Sequence, residues 1–392
     1  MDAKQSEELR KERTKLIRDT VAFNKTNRVP HVSMFQLWQV LDYGCKLSEA
    51  MRDYDLMEKV VRTHQERYNF DLLVNTGVRN PFNVYEAIGC KSYQIDDEKE
   101  SINHQDIFYC EHDELEELAA DYWKFIWEKG MPKKYPFWGG DFDLDILQKA
   151  IDERNRYFAF AGHMSTVLRE EYGHPTYCRP LMPPAIAVEN AFSYVRGIKG
   201  LGIDMRRDPE KLEAFIETYN QMNYYPQLEA LKSVPDGQDP EVCMDMATTF
   251  LCQNIMNTKQ WDKYYWPYLK PILDLMEEKG WSYSIFPEGT ILRFKDYFAD
   301  YKKGTLAFML EMDDCFEFRK ELPNCAIMGG MDSVILGSGT KEDCVDLVKR
   351  LCDEIARDGG FILTQSKIGT FRADGKRENL EAVCDFIQNY RM

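Results

Sequence analysis

The chain lacks several signatures that would settle its class quickly. It has no C-x-x-C pair among its 11 cysteines. An odd, scattered set without such pairs argues against a disulfide framework and fits a reducing cytoplasm. It has no apolar run of about 18 residues, so no transmembrane helix is expected. Its first twenty residues, MDAKQSEELRKERTKLIRDT, are charged and hold no apolar core, so no secretory signal is expected. No P-loop, G-x-S-x-G or H-E-x-x-H occurs, which leaves NTPase, serine-hydrolase and zincin readings without support. No G-x-G-x-x-G follows the first expected strand, which weakens a dinucleotide-binding reading. Basic residues are in deficit, with Lys+Arg 50 against Asp+Glu 66, a formal charge of −16. Such a surface repels a phosphate backbone, so nucleic-acid binding is not expected.

What is present can fold. Hydrophobic residues make up 44% of the 392 residues and aromatics 13%, enough for a sizeable core. Residues 6–24 read as an amphipathic helix with Leu9, Leu16, Ile17 and Val21 on one face. Eight short apolar segments then read as strands: 31–35, 70–75, 157–161, 242–246, 282–286, 305–310, 325–328 and 361–364. Each is followed by a helical stretch, as in parallel strands buried on both faces. Eight such units predict an α/β fold, a (β/α)8 TIM barrel, with a doubly wound open sheet as the runner-up. The organisation is an N-terminal helical extension at 1–29 and a barrel at 30–392. A helical insertion at about 91–156 is too poor in apolar residues to form its own core.

In a barrel the active site lies where the carboxyl ends of the strands meet. The residues expected there are Gln36; Asn75 and Thr76; His163; Asp245 and Thr248; Glu288; Glu311; Asp332; and Gln365 and Ser366. Glu288, Glu311 and Asp332 end three successive strands. Converging carboxylates stay ionised only beside a cation, unless one keeps its proton. The set therefore reads as a metal site, against the alternative that each acid caps the next helix. Glu288, Glu311 and His163 are the expected catalytic residues, and Gln36, Asn75, Asp245 and Gln365 the expected substrate contacts. His104, His112 and His174 read as solvated, and most cysteines as structural. Trp261, Tyr264, Tyr265 and Trp266 have helical spacing and read as core packing.

Several pieces carry a family resemblance. They are the turn Gly329-Gly330-Met331-Asp332, the helix start Gly339-Thr340-Lys341-Glu342, then Gly359-Gly360-Phe361-Ile362-Leu363 and Glu378-Asn379. Earlier come Arg28-Val29-Pro30 and Asp208-Pro209-Glu210-Lys211-Leu212. In this order and spacing the chain resembles the uroporphyrinogen decarboxylase superfamily, from about residue 28 onward. The resemblance implies a (β/α)8 barrel. The haem-pathway decarboxylases carry an Arg-rich motif after strand one, whereas Val32–Trp38 holds no arginine here. Members that methylate coenzyme M carry H-x-C after strand five, where this chain has Phe286-Pro287-Glu288.

What remains resembles the members that pass a methyl group from a small donor to a corrinoid protein. For this chain that implies zinc held by Glu288, Glu311 and Asp332, and a corrinoid supplied by a partner protein. It also implies a small-molecule methyl donor, with a methoxylated aromatic favoured. Oligomeric state is left open, a homodimer included. The alternatives are a decarboxylase or lyase acting on a tetrapyrrole or aromatic acid, and a non-catalytic corrinoid-binding protein.

Overall fold

The computed structural model describes residues 2–76, 80–140 and 143–392. The described residues form eleven strands: β1 (Val32–Ser33), β2 (Leu72–Leu73), β3 (Tyr93–Asp96), β4 (Ser101–His104), β5 (Thr176–Cys178), β6 (Val242–Met244), β7 (Met246–Phe250), β8 (Tyr283–Pro287), β9 (Leu306–Met309), β10 (Ala326–Met331) and β11 (Phe361–Gln365). A five-stranded sheet runs β7-β8-β9-β10-β11, with each pair parallel. β1 pairs parallel with β2, and β5 with β6. The bridge His31–Leu363 ties the start of β1 to β11. The fold is α/β with a parallel sheet and helical segments between most of its parallel strands.

Apolar residues divide between the two faces of the sheet. Val32, Met34, Leu72, Met244, Phe286, Met309, Met328 and Ile362 share one cluster. Ile17 and Val21 of the helix Ala3–Val21 join it. The other face packs on the surrounding helices in a larger cluster that includes Phe308, Ile327 and Leu363. Short strands apolar on both faces need this double cover. Trp261 stacks at 4.3 Å on both Tyr265 and Phe294, so the expected core packing of that aromatic group is found.

At the amino ends of the strands, Asp71 holds the N-terminal segment in place. Its carboxylate takes two hydrogen bonds from the Arg28 guanidinium (2.8 and 2.9 Å) and one from the His31 N–H (2.9 Å). Arg13 lies 3.3 Å away. Burial pushes the Asp71 carboxyl up, but the hydrogen bonds and charge of Arg28 and the charge of Arg13 outweigh it. The group is held below its ordinary value.

One expected strand is a helix. Residues 157–161 lie inside the 29-residue helix Leu144–Tyr172, capped by Asp143 and ended by Gly173 in the left-handed region. The run Tyr-Phe-Ala-Phe-Ala satisfies either period over five residues. The longer 3.6-residue pattern through Ala150, Phe160, Met164 and Val167 decides, because those residues are buried together. The strand that pairs with β6 is β5, only three residues long, directly after Gly173-His174-Pro175.

The insertion after β2 contains the β3–β4 hairpin and several short helices. It packs on the segment that follows β5. The helix Leu115–Ala120 meets the helix Pro209–Tyr219, and Arg196 joins Asp204 to the carbonyl of Cys110. Both segments leave the sheet at carboxyl ends and together form a helical cap there. No described helix is long and apolar enough to cross a membrane.

Candidate active site

Acids stand at the carboxyl ends of β7, β8 and β9, and those of β8 and β9 follow their own strands. Phe286 belongs to the inner cluster, and Glu288 follows it at the spacing of the strand's alternation. Ala307 and Met309 place Glu311 in the same way. The Glu288 N–H donates to the carbonyl of Phe250 (3.0 Å). The Glu288 carbonyl accepts from Gln253 Nε2 (2.7 Å) and from the Asn254 side chain. Next in the chain, Gly289 donates its N–H to the Glu311 carboxylate. Its φ of +88° and the 2.5 Å that would separate a Cβ from Asn254 Oδ1 reserve this position for glycine.

Two further acids complete the row, and neither stands out in the sequence by strand position. Glu189 accepts from the N–H groups of Leu251 (3.0 Å) and Cys252 (3.4 Å) and from the Tyr265 hydroxyl (2.8 Å). Burial raises its pKa, although these donors favour the charged form. Asp313 accepts from the N–H groups of Ile291 (2.6 Å) and Leu292 (3.2 Å), and burial raises its pKa as well. The one available signal for Glu189 was its isolation. It is the only charged residue between Arg179 and Arg196.

Asp332 does what a helix cap does. One carboxylate oxygen accepts from the N–H groups of Val334 (2.7 Å) and Ile335 (2.9 Å), opening the helix Ser333–Ser338. It still shares a cleft of about 270 Å³ with Glu311, Asp313, Phe316, Ile335 and Ser366. Among the described residues no group of three or more His, Cys, Asp or Glu is arranged to hold a metal ion. Glu288, Glu311 and Asp332 are not brought together as such a group: one oxygen of Asp332 caps its helix, and one oxygen of Glu311 accepts from Gly289.

Three of the expected substrate contacts gather at the end of β1. Gln365 Oε1 accepts from the Met34 N–H (2.7 Å), while Asn75 Nδ2 lies 3.5 Å from the Met34 carbonyl. Gln36 follows, with its N–H on the carbonyl of Gly369 (2.8 Å). Gln365 is fully buried, and its Nε2 has no partner among the described residues.

Two expected site residues lie elsewhere. His163 is not at a strand end. It sits on the helix Leu144–Tyr172 with its side chain half exposed, 2.8 Å from Glu58 on a neighbouring helix. Its displacement follows from the helix that replaces the expected third strand. Asp245 lies between β6 and β7, beside the start of β8. There it accepts from the Ser282 N–H (2.9 Å) and from Arg179 (2.7 Å). It anchors the amino end of β8, away from the row of acids. His174, expected in solvent, is buried and takes the Leu73 N–H on Nδ1 (3.2 Å). Burial raises the thiols of Cys243, Cys252 and Cys325, which suits their expected structural role.

The sequence profile of uroporphyrinogen decarboxylase (URO-D) matches residues 189–390, just over half the chain. A comparison with curated proteins finds no match. Among solved structures, a methyltransferase from Methanosarcina mazei shares the fold with a TM-score of 0.55 and 14% sequence identity. The alignment covers 94% of this chain and 96% of that one. The matched region begins at Glu189 and contains Glu288, Glu311 and Asp332, and by this match the chain belongs to the uroporphyrinogen decarboxylase family.

Proposed function

We propose that this protein is a methyltransferase that moves a methyl group from a small donor to the reduced corrinoid of a partner protein. A methoxylated aromatic is the favoured donor class. The observation that carries the reading is the row Glu189, Glu288 and Glu311 at the carboxyl ends of β7, β8 and β9. The likeness in fold to a methyltransferase supports it.

The frame for this reaction is a closed (β/α)8 barrel. The pairings β2-β1, β1-β11, β11 through β7 and β6-β5 order nine strands, which fill eight barrel positions when β6 and β7, separated by Asp245 alone, share one. Closure requires β2 and β5 to be neighbours, where the Leu73 N–H already reaches the His174 ring.

Cleaving a methyl–oxygen bond leaves an oxygen that needs a proton or a Lewis acid. Because the described residues do not fit zinc, the proton route is preferred. Glu288 or Glu311 gives its proton to the leaving oxygen as the methyl carbon passes to the acceptor. Glu189 and Asp313 hold protons to higher pH than free carboxyls, which limits repulsion along the row. Gln36, Asn75 and Gln365 orient the donor from the β1 side.

A decarboxylase is the second reading, favoured by the family match itself. It is weakened by the absence of arginine from Val32–Trp38. A protein that only binds a corrinoid is the third. Mixing the protein with a reduced corrinoid carrier and a panel of methoxylated donors separates them. Methyl-cobalt absorption that needs both protein and donor supports the first, carbon dioxide release the second, and binding without turnover the third.

A further inference from the structure

Another cavity lies at the amino ends of the strands, opposite the row of acids. Its volume is about 350 Å³. The helix Ala3–Val21, the segments leading into β1 and β2, and the C-terminal helix Arg377–Asn389 all contribute to its wall. Three guanidinium groups line it, those of Arg13, Arg28 and Arg391, against the carboxylate of Asp71. Glu12 reaches Arg28 (3.4 Å) from outside the lining, and the balance stays positive. On a chain of net charge −16, a local excess of cation runs against the average.

Asp71 is shared unequally. It makes a two-pronged contact with Arg28 and accepts from the His31 N–H. Arg13 is buried as well, and it donates to the carbonyl of Tyr172 (2.7 Å) and to Asn69 Oδ1 (3.0 Å). Its Nε lies 3.3 Å from Asp71 but makes no hydrogen bond. Burial pushes the Arg13 guanidinium below its ordinary value. Asp71 offsets part of this, and the charge of Arg28 adds to it. Arg391 spends Nη1 on the carbonyls of Gln388 (2.7 Å) and Tyr390 (2.9 Å) and forms no ion pair among the described residues.

His31 adds a neutral donor. Burial lowers its pKa to about 4, so the ring is uncharged near neutral pH. Nδ1 lies 3.9 Å from Cys384 Sγ, and burial keeps that thiol protonated. A thiol S–H facing Nδ1 leaves the ring proton on Nε2. That buried Nε2 has no partner among the described residues, and a buried N–H without an acceptor is costly.

Guanidinium groups in excess and an unpaired N–H both call for anionic oxygen acceptors. The cavity also falls within the usual range for small-ligand sites, about 300–1,000 Å³. We propose that it binds a small organic oxyanion, one bearing a carboxylate or phosphate group, held by Arg13, Arg28 and Arg391 with His31 as the neutral donor. Such a ligand joins the first helix to the last across the start of β1. The site is independent of the methyl-transfer reading.

The test uses the wild-type chain and Arg391→Gln. Arg207→Gln, at an exposed position ending the helix Gly197–Arg207 of the cap, is the control. Calorimetry is run with inorganic phosphate, glycerol phosphate and succinate, at constant ionic strength set by sodium chloride. The proposal expects saturable binding of at least one probe with a Kd at or below about 1 mM. Arg391→Gln should weaken it about tenfold, with an unchanged melting temperature in the absence of ligand. Arg207→Gln should bind as wild type does. The His31 ring nitrogen resonances of the wild type should shift on addition of the bound probe, a readout that holds even if Arg391→Gln fails to fold. A preference for either phosphate probe or for succinate assigns the head group. No saturable binding of any probe overturns the proposal. So does unchanged affinity in folded Arg391→Gln, equal weakening in both variants, or an unmoved His31 ring.

Discussion

The Gly289 N–H donates to the carboxylate of Glu311, and the Gly289 carbonyl accepts from the N–H of Met312. One glycine thus ties the loop after β8 to the loop after β9 and holds Glu311 in place. Gly289→Ala puts a Cβ 2.5 Å from Asn254 Oδ1 in a left-handed backbone. A loss of about 1–3 kcal/mol in chemical denaturation is expected, together with reduced turnover. Gly162→Ala is the control. It lies inside the helix Leu144–Tyr172 with nothing within 4 Å of its added Cβ. It should gain about 0.5–1 kcal/mol.

Glu288→Gln and Glu311→Gln keep shape and remove the proton donor. Each should lower kcat for methyl transfer by about 10²–10⁴-fold if it is the acid, with melting temperature nearly unchanged. His163→Ala should leave kcat unaffected, since that ring meets Glu58 on the outer helices. Steady-state kinetics with one donor and one carrier decides both points.

Arg28→Ala leaves the buried Asp71 carboxylate with Arg13 as its remaining cationic partner. Removing one member of a buried ion pair costs about 3–5 kcal/mol. Denaturant titration should show a lower midpoint with little change in slope. Lys4→Ala, which breaks an exposed pair with Glu8, should cost less than about 0.5 kcal/mol.

Acid should destabilise the fold through its buried histidines. Burial lowers His31 to about 4 and His64 and His174 to about 3, against 6.5 unfolded. The unfolded chain therefore takes up these protons first. Their contribution is complete above about pH 6.5 and is lost as pH falls toward 4 and 3. Each histidine adds a slope of up to about 1.4 kcal/mol per pH unit in that window. Asp71, held low, acts in the same direction below the ordinary carboxylate range, while Glu189, held high, opposes it. Urea midpoints at pH 8, 6 and 4.5 measure the trend. A midpoint that rises toward pH 4.5 would contradict it.

Much of this arrangement is legible in the sequence. Short apolar segments bounded by turn residues locate β1, β2, β6 and β8 through β11, because buried parallel strands leave a dense local signal, whereas the expected strand 242–246 stops where β7 (Met246–Phe250) begins. Residues 157–161 mislead because five apolar residues fit both periods, and β5 is too short to show any. That single exchange also moves His163 from the expected mouth to an outer helix. Position after a strand finds Glu288 and Glu311 but cannot separate an acid that faces the site from one that caps a helix, as Asp332 does. Glu189 reaches the end of β7 from a different element, so no local pattern announces it. Asp245 shows the same limit in reverse. Its pairing with Arg179 and Ser282 is a long-range contact that strand position does not encode.

The most direct test of the central claim is the cobalt absorption spectrum of a reduced corrinoid carrier mixed with this protein and methoxylated aromatic donors. The account predicts conversion to methyl-cobalt that requires both protein and donor and falls at least about tenfold with Glu288→Gln or Glu311→Gln. An unchanged cobalt(I) spectrum across the panel, or conversion at wild-type rate in both variants, would contradict it.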